Sequence, residues 1–169
     1  MPKEINIGLV LPAIPGYSET FFHTKINGLI NHGFKVSLFV SKKGDLGPLS
    51  DSVSVYSQAN IRNKLYLFIT LISSLTLHPI ICFRFLKLEK SSNRNWLKAI
   101  KNLIINSHII GKTLDWIHFG FATSALGREN LAYSMSIKAA VSLRGFDIGL
   151  YPHQHLGCYN LLWEKIDKV

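Results

Sequence analysis

The four residues Arg144-Gly145-Phe146-Asp147 place a guanidinium and a carboxylate close together, directly after the apolar run 137–143. A guanidinium offers a rigid fork of donors that suits a phosphate, and it cannot serve as an acid or a base. Gly145 is expected to permit a sharp turn, and Asp147 to orient that turn or Arg144 itself. His118 closes a predicted buried strand, 115–118. At the carboxyl end of a parallel strand it stands where ligands bind in open α/β sheets, and a purely structural histidine fits the position equally well. The turn Pro15-Gly16-Tyr17-Ser18, with Glu19 after it, joins the first predicted strand to a helix. Gly16 admits close approach of backbone to a ligand, and the helix start that follows suits a phosphate. The same residues also make an ordinary strand-to-helix turn, with Ser18 as cap and Glu19 favoured by the helix dipole in the first turn. His153 and His155 form an HxH pair without the Cys, Asp or Glu neighbours that a zinc site needs, so no metal is expected. No GxGxxG or GxxxxGK[ST] fingerprint occurs, which disfavours a nicotinamide enzyme or a P-loop ATPase.

The elements that must position these groups follow from hydrophobic period. Residues 5–11 are an apolar run closed by Pro12 and Pro15-Gly16, which predicts a buried parallel strand. Phe22, Ile26, Leu29 and Ile30 recur at helical spacing up to Gly33, and 34–40 is a second strand. That is a βαβ unit. A short strand is predicted at 53–57, a broken helical region at about 62–110, strands at 115–118 and 137–143, and helices at 121–135 and 159–169. Alternating strands and helices with apolar strands predict an α/β domain with a parallel, doubly wound sheet.

A chain of 169 residues is long enough for one domain with a proper core. Its hydrophobic fraction of 47% and charged fraction of 17% exclude a disordered chain. The net charge of +9 points to an anionic partner, whether phosphorylated substrate, membrane surface or nucleic acid. No nucleic-acid motif accompanies the charge, and nucleic acid is not expected as a partner. Cys82 and Cys158 lie in apolar or aromatic surroundings without CxxC spacing, and the first residues read as a strand, not a signal peptide, so the cytoplasm is the expected compartment.

Residues 65–83 are almost uncharged and near the length of a membrane span, but Thr70, Ser73, Ser74, Thr76, His78 and Pro79 weaken insertion. A buried or membrane-apposed helix is the expectation. Beyond it, Lys87, Lys90, Arg94, Lys98 and Lys101 form one basic stripe if the helix is unbroken, while Ser91-Ser92-Asn93 is a candidate break. Such a stripe beside an apolar segment suits peripheral attachment to the inner, anionic face of a membrane.

Three stretches together carry a resemblance. They are the opening LVLPAIPGYSETFFHTKINGLINHGFKVSLF, then Asp115-Trp116-Ile117-His118-Phe119-Gly120, then Ser142-Leu143-Arg144-Gly145-Phe146-Asp147-Ile148. In this order the chain resembles the N-terminal half of retaining glycosyltransferases of the GT-B fold, family 4, especially those of colanic acid and exopolysaccharide synthesis. The resemblance implies a single Rossmann-like, acceptor-side domain over residues 1–169, with a helical basic and apolar insertion at about 61–110 and a sheet left incomplete at its C-terminal end. It implies substrate contacts at Gly16, Tyr17, Ser18, Glu19, His118, Arg144, Gly145 and Asp147, where relatives have His-Gly-x-Asp in place of the Arg144 motif. It further implies a nucleotide-sugar as co-substrate with no other cofactor, a lipid-linked saccharide as acceptor, and a donor-binding domain or separate donor subunit as partner. The E-x7-E motif of that donor half is absent, so no sugar transfer is expected from this chain alone. A non-catalytic, membrane-associated binding subunit is the alternative.

Overall fold

The computed structural model describes residues 4–16, 19–42, 53–59 and 63–169. Strands β1 (Asn6–Ala13), β2 (Lys35–Lys42), β3 (Ser54–Ser57), β4 (Trp116–Phe119) and β5 (Lys138–Val141) form one sheet in the order β3-β2-β1-β4-β5. Every pairing is parallel. With helices on both faces this is the expected α/β, Rossmann-like arrangement.

The central strand shows why the sequence folds this way. Ile7, Leu9, Val10 and Leu11 of β1 are all buried, which a strand needs only when both of its faces are covered. Gly8 is forced by packing, because a Cβ there would lie 2.8 Å from Leu114 and 2.9 Å from Phe39. On one face, helix α1 (Thr20–Asn31) seats Phe22 and Ile26 on Leu9, Leu11, Leu38 and Val40. It ends where expected, with Gly33 in the left-handed region at φ +81°. On the other face Val10, Phe39, Ile117, Phe119 and Val141 meet the remaining helices.

The long helical region breaks near the two predicted places. Helix α2 (Lys64–Leu77) stops at His78, α3 (Pro79–Ser91) starts on its proline, and α4 (Trp96–Asn106) follows a loop in which Asn93 takes a positive φ. Asn63 and Asn95 cap α2 and α4 by accepting from the amides of Tyr66 and Lys98. Among the described residues no single helix is long and apolar enough to cross a membrane, and α2 and α3 are bent by 111° to one another.

Several expectations need correction. Residues 121–135 are two short helices, α5 (Ala122–Ala125) and α6 (Leu131–Met135), because Gly127 at φ +78° turns the chain between them. The chain after β5 enters a π-helical turn, Phe146–Leu150, continuous with α7 (Tyr151–Gln154). Gly145 is helical there, at φ −52°, so it is not a sharp-turn glycine. The last helix, α8 (Asn160–Lys165), is shorter than 159–169, and Lys168 instead pairs in parallel with Ala140.

The basic stripe is corrected as well. The break before Asn95 turns Arg94 inward, where it bridges Glu89 at 2.7 Å and Glu129 at 2.8 Å. Glu89 is fully buried and also accepts from Asn102 and Asn130, so the pair ties α3 to α4 and to the loop before α6. Lys90 donates to the Arg94 carbonyl and lies over the Trp96 ring. Lys87, Lys98 and Lys101 are exposed. Cys82 is buried, Cys158 half-buried, and both are free thiols.

Candidate anion-binding site

The chain runs outward from β1 to β2 and β3, then returns to place β4 on the other side of β1. The crevice outside the carboxyl ends of β1 and β4 is therefore the switch point at which open α/β sheets bind ligands. Strand alternation decides what faces it. Ile117 and Phe119 belong to the core beneath, so His118 between them projects to the α1 side, as do Ala140 and Ser142 relative to Val141.

There His118 meets two partners. Its Nε2 lies 2.8 Å from Lys25 Nζ of α1 and 2.9 Å from Ser142 Oγ just past β5. Burial, then the Lys25 charge, holds the imidazole down to about 4, so the ring is neutral near pH 7. A neutral ring protonated at Nδ1 presents the Nε2 lone pair that both donors approach. Lys25 is lowered too, first by burial and then by the charge of Arg144.

Arg144 is fixed by aromatic rings. Its guanidinium lies 4.5 Å from the ring centres of Phe21 and Phe22 and 5.0 Å from that of Phe121. Its Nε points at the Gly120 carbonyl, 3.4 Å away. Gly120 must be glycine for this layer to close, since a Cβ would come within 2.3 Å of Leu11. Among the described residues no carboxylate forms an ion pair with Lys25 or Arg144. Two cations thus share a half-buried crevice, and neither is ion-paired among the described residues.

Asp147 does not line that crevice. It is buried and accepts from the Arg144 amide at 3.2 Å and from the Thr123 amide and hydroxyl at 3.1 Å. It orients the loop, one of the two roles its sequence position suggested. Glu19 is the N-cap residue of α1 and not part of its first turn, and its carboxylate accepts from the Gly16 amide at 3.0 Å. It is occupied in holding the turn. A Cβ on Gly16 or Gly145 would meet nothing within 4 Å, so neither glycine is required by packing. Tyr17 and Ser18 lie outside the described residues. His153 and His155 are exposed, with His155 against the Tyr151 ring, and among the described residues no group of three His, Cys, Asp or Glu is placed to hold a metal.

Sequence reading missed Lys25 and the aromatic seat of Arg144. A signal for Lys25 exists: it stands beside Ile26 and three residues after Phe22, on the flank of the buried helix face. Next to the site, a concavity of about 1040 Å³ opens over β4 and β5, with Trp116, His118, Ala140, Ser142, Leu143 and Lys168 in its wall.

No family model matches the sequence, and no curated protein matches it. Among solved structures the chain is similar to a protein from Bacteroides thetaiotaomicron described as a putative epimerase, with 13% identity and a TM-score of 0.39. The match covers 90% of this chain and 58% of that one. The resemblance to family 4 glycosyltransferases is therefore corrected: neither that family nor any other is matched by the sequence. The physical reason is that the three stretches are a strand–turn–helix opening and two strand ends. Those are features that any parallel α/β domain needs.

Proposed function

We propose that this chain binds a phosphate-bearing ligand across the carboxyl ends of β1 and β4, as the substrate-binding side of a sugar-transfer enzyme. One observation carries the reading: Lys25 and Arg144 converge there beside the Ser142 hydroxyl, and among the described residues no carboxylate is ion-paired with either. Two like charges in a half-buried crevice repel one another, and a phosphate or diphosphate relieves that repulsion by accepting from both. The aromatic seat holds the Arg144 fork in place before the ligand arrives, which lowers the ordering cost of binding. His118 anchors Lys25 from below. Sugar transfer is the finer part of the proposal. A nucleotide-sugar supplies the diphosphate, a lipid-linked saccharide is the acceptor, and a donor-binding domain or subunit completes the site.

A second reading drops the chemistry. The four groups include no carboxylate, and His118 is neutral near pH 7, so the imidazole is no general acid there and the crevice is composed for binding. A membrane-associated binding subunit paired with a donor-binding chain fits that composition. Calorimetric titration with a panel of nucleoside-diphosphate sugars, nucleoside diphosphates and pyrophosphate tests both. Binding of the diphosphates that is lost in Lys25→Ala and Arg144→Ala is the expected result, with sugar-dependent affinity favouring the transfer reading. No binding of any diphosphate would refute the site.

A further inference from the structure

We propose that the α2–α3 elbow is a monotopic membrane insert, entering one leaflet of an anionic bilayer and returning to the same side. This deepens the membrane association proposed above and is independent of the anion-binding crevice.

α2 keeps little of its apolar surface for the domain. Leu71 packs on the core and Ser74 is 8% exposed, whereas Leu65, Phe68, Ile69, Ile72, Leu75 and Leu77 are exposed. At about 100° per residue these six cover an arc of roughly 200°. A protein partner normally covers a stripe of about 100°, and a helix apolar around most of its exposed circumference is suited to fluid lipid tails. The polar side chains agree. Thr70, Ser74 and Thr76 donate their hydroxyls to the carbonyls of Tyr66, Thr70 and Ile72, four residues back on the same helix. A hydroxyl satisfied within its own helix can leave water without an unpaired donor.

The bend sets the topology. Leu77 and Ile80 flank the break at 72% and 73% exposure, and Phe83 follows at 69%. A turn of 111° sends α3 back toward the side from which α2 came. The returning half of α3 is held in the domain by Phe85 and Glu89, both fully buried, so the pair cannot continue across. Charge complementarity names the lipid. No acidic residue occurs from Lys64 to Leu88, and Arg84, Lys87, Lys98 and Lys101 are exposed on α3 and α4. Exposed Trp96 stands at the start of α4, a residue type favoured at headgroup depth.

The test is co-sedimentation of the full chain with phosphatidylglycerol–phosphatidylcholine vesicles, at low salt and at about 1 M salt, where screening shortens to ~3 Å. The parent is expected to bind in both. Replacing exposed Phe68, Ile80 and Phe83 together with serine should cut binding at least tenfold at either salt, while pyrophosphate affinity stays unchanged. Replacing Lys87, Lys98 and Lys101 with glutamine should remove only the salt-sensitive part. A parent that stays in the supernatant, or a serine variant that binds like the parent, overturns the proposal. So does light scattering that shows a parent dimer and a monomeric serine variant, because a second copy then covers the elbow.

Discussion

Arg94 and Arg144 are the same residue in two regions built to opposite ends. Arg94 bridges two buried carboxylates, and one of these accepts further bonds from Asn102 and Asn130. Arg144 sits on three phenylalanine rings beside a lysine, and Asp147, three residues on, is occupied by backbone and threonine donors. In the first region the guanidinium is ion-paired on both sides and is a structural tie. In the second, among the described residues, no ion pair meets it. Where a domain closes its charges it gains cohesion, and where it leaves them open at a strand end it gains a place for an anion.

The sharpest way to break the comparison is to remove each arginine. Arg94→Ala leaves Glu89 and Glu129 buried without their counter-ion and is expected to cost about 3–5 kcal/mol in chemical denaturation. Arg144→Ala loses ring contacts and should cost only about 1 kcal/mol. Equal losses would erase the distinction between tie and site.

The two glycines at the site offer a second contrast of smaller size. Gly120→Ala drives a Cβ to within 2.3 Å of Leu11 and should lower stability by about 1–3 kcal/mol. Gly145→Ala has open space and helical dihedrals, so it should be neutral or stabilising by about 0.4–1 kcal/mol. Thermal melts of the two variants rank them directly.

A third contrast is in pH. His118 is held to about 4 and His108, buried beside Arg128 and Lys112, to about 3, both below the ordinary 6.5. Below pH 6.5 the unfolded chain takes up protons that the folded chain refuses, so stability falls as acid is added, down to about pH 4 for His118 and about pH 3 for His108. In His118→Gln this slope should flatten, leaving the His108 contribution. An unchanged slope would remove His118 from the account.

Much of the fold could be read from the sequence because it rests on period and punctuation. The apolar run of β1, the helical spacing of Phe22 and Ile26 and the breaks at Pro79 and Asn93 are local signals. The misreadings had tertiary causes. Gly127 splits 121–135 because a buried polar loop must pass there, and Arg94 left its stripe because Glu129, 35 residues away, pairs with it. The site was half legible. Arg144 and His118 announced themselves by type at strand ends, whereas Lys25 became part of the crevice only when β4 was laid beside β1, 93 residues from it to His118. The three family-like stretches misled for the opposite reason: they describe strand ends that many α/β domains share.

Anion binding by Lys25 and Arg144 at the carboxyl end of this sheet is read out by following pyrophosphate with ³¹P NMR as the protein is titrated in. The parent should bind, and Lys25→Ala and Arg144→Ala should each weaken binding at least tenfold while both variants stay folded in the same melt. Binding of equal strength in parent and both variants, or none in the parent, would contradict the account.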